Sequence, residues 1–223
     1  MTPLTVACVW VQGEYPYTVD YVTRLRAMVS RWIDRPFRFV CLTDRPQEVQ
    51  DSIETIQIAK LPGCFAYWSK LELFNPLRAW TGRMLYLDLD TLVVAPLAPI
   101  VDVPAPLALI ADTAKPGHKA KDKYGRHIVR RFNSSVMVWN GGGQAHLYES
   151  WSPAVAARLS GDQDHIGEQS PAATALPAAW FPRVSQIEEP PFAPEVKVIL
   201  SKYPKNDIAA QRWPWFEPLW GAA

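Results

Sequence analysis

The sequence predicts an α/β protein, with one sheet of strands flanked by helices. Three observations predict it. Short, continuous apolar runs recur along the chain, as strands buried on both faces require. A helical period separates the first two runs. A later run, Arg83–Leu87, passes directly into Asp88-Leu89-Asp90, and open α/β sheets place their ligand sites beyond the carboxyl ends of strands.

Residues 5–11 form the first apolar run, ended by Gly13. Over residues 18–33 the apolar positions are Val19, Val22, Leu25, Val29, Trp32 and Ile33. Steps of three and four put them on one helix face, and Pro36 stops the helix. Residues 37–42 read as a second strand, closed by Thr43-Asp44-Arg45-Pro46, and residues 55–59 as a third. Residues 67–74 read as a helix that ends at Asn75-Pro76, before the buried strand Arg83–Leu87. This alternation is the pattern of βαβ units. The second half is less regular. Strands are expected at 92–94, Leu107–Ala111, 134–139 and 196–200, with a helix over 146–159 that contains Pro153. Between them lie Pro-rich connections at 96–106 and 171–194 and a polar, basic stretch at 115–131. No repeat and no low-complexity tract interrupts the chain. The expectation is a single domain over residues 1–223, the sheet continuing through both halves rather than breaking near residue 95.

Composition narrows the function classes. The 223 residues suffice for a core that buries about 70% of the unfolded surface. Lys+Arg number 23 against 22 Asp+Glu, a net charge of +1, which argues against a broad basic face for nucleic acid or anionic lipid. Hydrophobic residues make up 48%, too many for a disordered chain. Cys8, Cys41 and Cys64 are unevenly spaced, form no CxxC, and lie away from the four histidines. They read as buried thiols rather than a zinc site or disulfide framework, which points to a reducing cytoplasm. The N-terminus lacks a basic region before its apolar run, so it does not read as a signal peptide. No apolar stretch approaches the ~18 residues that cross a bilayer. Peripheral membrane association stays open.

Asp88 and Asp90 are the sharpest local feature. In extended chain, residues i and i+2 point to one side, so the two carboxylates can converge. Held together they repel unless a cation or proton intervenes. A hard divalent ion, Mn²⁺ or Mg²⁺, takes such oxygens and shares them with a diphosphate. A solvated pair of acids in a turn is the plain alternative, and the buried strand leading into the pair favours the site.

Two families carry DxD after a strand. In the haloacid-dehalogenase type of phosphohydrolase the motif is DxDxT; here Leu92, not a threonine, fills the last place, and the motif strand is far from the N-terminus. A closer resemblance joins several segments in order. Arg83-Met84-Leu85-Tyr86-Leu87-Asp88-Leu89-Asp90-Thr91 is similar to the "viYlDxDtlv" segment of family 8 glycosyltransferases, and Phe132-Asn133-Ser134-Ser135-Val136-Met137-Val138-Trp139-Asn140 to their "FNaGvmvlN". Gly161-Asp162-Gln163-Asp164 resembles their "DQD", and Lys70 stands where the family places a basic residue on the helix before the DxD strand. The resemblance spans roughly residues 5–205.

That resemblance implies a GT-A-like, Rossmann-like mixed sheet, with a nucleotide-binding half over about 1–95 and a donor-sugar and acceptor half over about 96–223. It implies a transferase moving a sugar from a nucleotide-sugar, a UDP-sugar by family habit, to a glycan or other acceptor with retention of configuration. Asp88 and Asp90 would hold the metal, Mn²⁺ or Mg²⁺. Lys70 and Lys205 would face the diphosphate or donor sugar. Asn133, Asp162 and Gln163 would contact the sugar, Gln163 nearest the anomeric carbon, which makes Asp162 and Gln163 the candidate catalytic residues. Tyr15, with Tyr17, follows the first strand and would stack on the base. Taken without the family, Lys70 reads as a solvated charge, and Asp162 and Gln163 as turn or N-cap residues. One departure stands out: the family's C-terminal "FHGxxKPW" aligns with Leu200-Ser201-Lys202-Tyr203-Pro204-Lys205-Asn206, so Ser201 replaces the third metal ligand. Water, another residue such as His165, or a loosely bound metal would then complete the site. A catalytically weak or inactive module of the same fold, binding nucleotide or glycan, is the alternative function; the phosphohydrolase is the second.

Overall fold

The computed structural model describes residues 3–13, 15–61, 64–112, 119–129, 131–201 and 205–221. β1 (Leu4–Trp10), α1 (Val19–Trp32), β2 (Arg38–Thr43) and β3 (Glu54–Gln57) open the chain. A 3₁₀ helix over Ala66–Phe74 leads to β4 (Arg83–Leu87), β5 (Thr91–Val93), α2 (Ala98–Val101) and β6 (Leu107–Ala111). β7 (Lys119–Lys121), β8 (His127–Val129) and the long β9 (Phe132–Asn140) follow. Then come α3 (His146–Glu149), α4 (Pro153–Arg158), α5 (Asp162–Gln169), β10 (Thr174–Leu176), β11 (Val198–Leu200), α6 (Asn206–Arg212) and α7 (Phe216–Gly221).

Seven strands make one sheet in the order β10-β6-β9-β4-β1-β2-β3. β1 runs parallel to both β2 and β4, and β2 to β3, while β9 is antiparallel to β4 and β6. Both halves of the chain therefore build the same sheet. Two small ribbons stand apart, β5 with β11 and β7 with β8.

Side-chain parity divides the core into two layers, because successive residues of a strand face opposite sides. Val6, Cys8 and Trp10 of β1, Leu85 and Leu87 of β4, and Val136 and Val138 of β9 pack on the side covered by α1. Met84, Tyr86, Met137 and Trp139 pack on the other side, with Trp68, Leu71 and Phe74 of the 3₁₀ helix. α1 buries Tyr21, Val22, Leu25, Met28 and Val29, the stripe expected of its three-and-four spacing. Cys8 and Cys41 are buried thiols, and Cys64 is a half-buried thiol.

The structure corrects the sequence reading in four places. Residues 66–74 are 3₁₀ rather than α-helical. The helix expected over 146–159 is two, α3 and α4, because Pro153 cannot donate to a preceding turn and instead opens α4, with Ser152 capping it. The basic stretch at 115–131 contains the β7–β8 hairpin, its residues 115–118 and 130 lying outside the described ones. A strand that periodicity missed, β10, closes one sheet edge.

Candidate active site

A cleft of about 500 Å³ opens where β1 and β4 end and β9 begins, and Asp88, Asp90, Lys70, Asn133, Asp162, Gln163, Lys205 and Tyr15 all line it. Gly13, just past β1, lets the loop close down on the 3₁₀ helix: a Cβ at Gly13 would come within 2.2 Å of the Ala66 Cβ.

The two carboxylates reach the cleft by a turn rather than along extended strand. β4 stops at Leu87; the Thr91 N–H and hydroxyl both donate to the Asp88 carbonyl, at 3.3 and 2.7 Å. Asp88 keeps the parity of Tyr86, whose hydroxyl donates to Asp88 Oδ1 at 2.5 Å. Asp90, carried round the turn, faces a different set of partners. The expected same-side pair is thus two separately partnered acids in one cleft.

Lys70 is almost fully buried. Its Nζ lies 3.0 Å from Asp88 Oδ1 and 3.3 Å from Asp162 Oδ2, and donates to Ser134 Oγ at 3.0 Å and the Ser134 carbonyl at 3.3 Å. An ammonium has three donors, and these contacts consume them. Lys70, expected to face the diphosphate or donor sugar, thus lines the cleft while holding two acids together. Burial would lower its pKa, but attraction to Asp162 and Asp88 reverses this and raises it above the usual value. Burial likewise would raise Asp88, and the Lys70 charge with hydrogen bonds from Tyr86 and Ser135 holds it below the usual carboxylate range.

Ser134 reaches this cluster through an irregularity of β9. Pairing with β6 jumps from Leu109↔Met137 to Ile110↔Asn133, leaving residues 134–136 without a partner on β6. Such bulges re-aim side chains beside sites. Here the Ser134 hydroxyl donates to Asp162 Oδ2 at 2.6 Å, while Asn133 Oδ1 accepts from the Ser135 N–H at 2.8 Å. Asp162 and Gln163 begin α5, after Gly161 at its N-cap. The Asp162 side chain is buried against Lys70; Gln163 is half-buried.

Asp90 has its own cation. Lys205 Nζ lies 2.5 Å from Asp90 Oδ2, which also accepts from the Tyr17 hydroxyl at 3.0 Å. The Lys205 ammonium sits 4.2 Å from the Tyr15 ring centre and 5.0 Å from that of Tyr17. Burial and the charges of Asp90 and Asp88 push Tyr17 well above its ordinary pKa, so its hydroxyl stays protonated. Tyr17 is thereby committed to Asp90, while Tyr15 is 46% exposed.

Ser201 lies beside Asp90 because β11 pairs with β5, Leu200 opposite Thr91; its N–H donates to the Asp90 carbonyl at 3.1 Å. Its side chain turns elsewhere. In the amide orientation that satisfies every neighbour, Asn206 donates to Ser201 Oγ at 2.5 Å and to the Asp90 carbonyl at 3.2 Å, and accepts from Trp220 Nε1 at 3.1 Å. Residues 202–204 of that motif lie outside the described residues. His165 is no substitute ligand: it is fully buried, with Nε2 3.0 Å from the Leu147 carbonyl.

No cluster of three or more His, Cys, Asp or Glu side chains capable of holding a metal occurs among the described residues. Two carboxylates opening on one cleft still suit a hard divalent ion that takes one or two protein oxygens and completes its shell with phosphate and water. The donor set fits an ion shared with a substrate, not one caged by protein.

Tyr86 and Ser134 are the site residues that sequence reasoning missed. Parity with Asp88 could have revealed Tyr86; nothing in the sequence marks the bulge that delivers Ser134.

No protein-family model and no curated protein sequence matches the chain. Solved structures do resemble it. The galactosyltransferase LgtC, crystallised with donor and acceptor sugar analogs, superposes with a TM-score of 0.68 at 17% identity, over 98% of this chain and 95% of LgtC. An active-site variant of LgtC with glutamine replaced by glutamate gives 0.65 at 15%, over 98% and 95%. The bifunctional glycosyltransferase WbbM gives 0.64 at 14%, over 99% of this chain and 51% of WbbM. The chain has the GT-A fold of these glycosyltransferases.

Proposed function

We propose that the protein moves a sugar from a nucleotide-sugar, of which a UDP-sugar is the first candidate, to a hydroxyl of an acceptor sugar. One observation carries this: in a GT-A fold, the DxD acids, Asp162 with Gln163, and Tyr15 converge on a single cleft. The fold of LgtC and WbbM supports transfer over phosphate hydrolysis, and LgtC itself was solved with donor and acceptor analogs.

In this reading Tyr15 stacks on the base and Lys205 lies against the diphosphate. Asp162, fixed by Lys70 and Ser134, accepts hydrogen bonds from donor-sugar hydroxyls through what its carboxylate leaves free. Asn133 borders the same sugar, and Gln163, at the start of α5, lies nearest the anomeric carbon. Asp88 and Asp90 would hold Mn²⁺ or Mg²⁺, which neutralises charge on the leaving diphosphate. The bond from anomeric carbon to phosphate oxygen breaks, a bond to the acceptor oxygen forms, and the acceptor's proton leaves with the diphosphate. Retention of configuration belongs to the same reading.

The test is a thermal-shift screen of UDP-, GDP- and CDP-sugars with and without Mn²⁺, followed by NMR of the hydrolysed or transferred sugar. Ligand binding to the native state raises stability as RT ln(1 + [L]/Kd). Stabilisation by one nucleotide-sugar class, with its anomer retained in the product, is expected. No stabilisation by any of them sinks the proposal. Binding without turnover would favour a binding module on the same fold.

A further inference from the structure

Lys205 stands where a cation is wanted. Its ammonium is 2.5 Å from Asp90 Oδ2, and both side chains are largely buried. Lys70 already neutralises Asp88 from below, so among the described residues each DxD acid has its own lysine. The two lysines are not equivalent. Lys70 is locked by Asp88, Asp162 and Ser134. Among the described residues Lys205 makes one ion pair, rests against the faces of Tyr15 and Tyr17, and lines the cleft, so it can turn toward an anion there by giving up that single ion pair.

A divalent ion approaching Asp90 meets that ammonium at the same carboxylate. Two like charges a few ångströms apart in a half-buried cleft repel strongly. The ion cannot take this oxygen until Lys205 leaves, and Lys205 has no reason to leave until another anion accepts it. A nucleoside diphosphate is such an anion. It would accept Lys205 from Asp90 and offer the metal additional oxygens.

We infer that Lys205 is an internal cation competing with the divalent metal for Asp90, and that it makes metal binding conditional on the nucleotide diphosphate. The inference rests on the donor site proposed above. It goes beyond it in assigning to one residue the coupling between the two ligands. By linkage the coupling is reciprocal, so the metal strengthens nucleotide binding by the same factor. Tyr17 shares Asp90 Oδ2 but is neutral, so it should contribute little to the competition.

The experiment titrates Mn²⁺ calorimetrically into wild type, Lys205→Met and Tyr17→Phe, each with and without saturating UDP. Wild type should take up Mn²⁺ weakly alone and at least tenfold more tightly with UDP. Lys205→Met should bind Mn²⁺ alone at least tenfold more tightly than wild type, with the UDP-linked gain reduced to a few-fold. Tyr17→Phe should stay within about twofold of wild type for Mn²⁺ alone. Thermal melts confirm that each variant is folded, and a rise in Tm of Lys205→Met on adding Mn²⁺ alone gives a second readout. Equal Mn²⁺ affinity for wild type and Lys205→Met without UDP, while wild type still binds UDP with Mn²⁺, overturns the competition and leaves the donor site standing. Failure of wild type to bind UDP under any condition overturns the donor site, and the inference with it.

Discussion

Lys70 and Asp88 meet at 3.0 Å although one comes from a 3₁₀ helix and the other from the end of β4. The same ammonium reaches Asp162 at 3.3 Å, so one buried charge joins the DxD turn to the start of α5. Lys70→Met removes the charge and leaves two buried acids without their cation. Breaking a buried pair in this way costs about 3–5 kcal/mol, and the loss should appear in urea unfolding at pH 7. The sign with pH follows from Asp88. Its folded pKa is below the unfolded value of about 3.9, so its stabilisation is present above that value and fades as pH falls through the folded pKa. Without Lys70, the burial of Asp88 is opposed only by its hydrogen bonds from Tyr86 and Ser135, and protonation of the acids relieves their uncompensated charge. The gap between variant and wild type should therefore narrow as pH drops from 7 toward 4. A deficit under 1 kcal/mol at pH 7 would refute the clamp.

Asp162→Asn should separate sugar recognition from nucleotide recognition. The amide keeps the shape and can still accept from Ser134, but is a weaker acceptor for sugar hydroxyls. UDP affinity should stay within about twofold, while UDP-sugar affinity or turnover falls about tenfold, roughly 1.4 kcal/mol. Equal losses for both ligands would place Asp162 at the diphosphate instead.

What the sequence disclosed and what it hid divide along local and non-local lines. α1 and β4 were legible because their patterns are local: spacing by three and four, and an apolar run ending in Asp88. The members of the site were legible by resemblance, but their pairings were not. Lys70 was expected at the diphosphate or donor sugar; its pairing with Asp88, Asp162 and Ser134 was not foreseen, because that contact set is assembled from three distant segments and a bulge. Ser201 was expected at the place of the family's third metal ligand. Its hydroxyl instead binds Asn206, a contact set by how α6 packs. Ser201→His should therefore overpack this 1% exposed position and lower Tm by several degrees, corresponding to about 1–3 kcal/mol.

His165 predicts an acid-side loss of stability. It is fully buried, its Nδ1 finds no hydrogen-bond partner, and Nε2 points at the Leu147 carbonyl, which can only accept. The neutral ring with its proton on Nε2 fits this niche. Burial lowers its pKa below the usual 6.5, against the smaller opposing pull of that carbonyl. The unfolded state therefore binds the proton first. Stability is unaffected above about pH 6.5 and declines as pH falls from there toward the folded pKa. His165→Gln keeps a donor for Leu147 without titrating, so its Tm should change less between pH 7.5 and 5 than that of wild type. Parallel Tm curves would exclude His165 as the source.

Arg83 tests whether the far end of the DxD strand matters to the cleft. It opens β4, at the opposite end from Asp88, and its guanidinium donates to four acceptors: the carbonyls of Val101 at 2.9 Å, Ala105 at 2.8 Å and Val103 at 2.6 Å, and Asn140 Oδ1 at 2.8 Å. It fastens the connection from α2 to β6 onto the sheet. A hydrogen bond to a charged group contributes about 1.5–3 kcal/mol, and four sharing one side chain are not additive, so Arg83→Ala should cost about 3 kcal/mol in urea unfolding. Lysine cannot reproduce the fork that serves diverging carbonyls, and Arg83→Lys should recover less than half of the loss. Because none of these contacts touches the cleft, UDP affinity of the folded variant should match wild type. A folded Arg83→Ala protein with weakened UDP binding would show that α2 and its connection help to shape the site, and would move the anchor from a purely structural part to a positioning one.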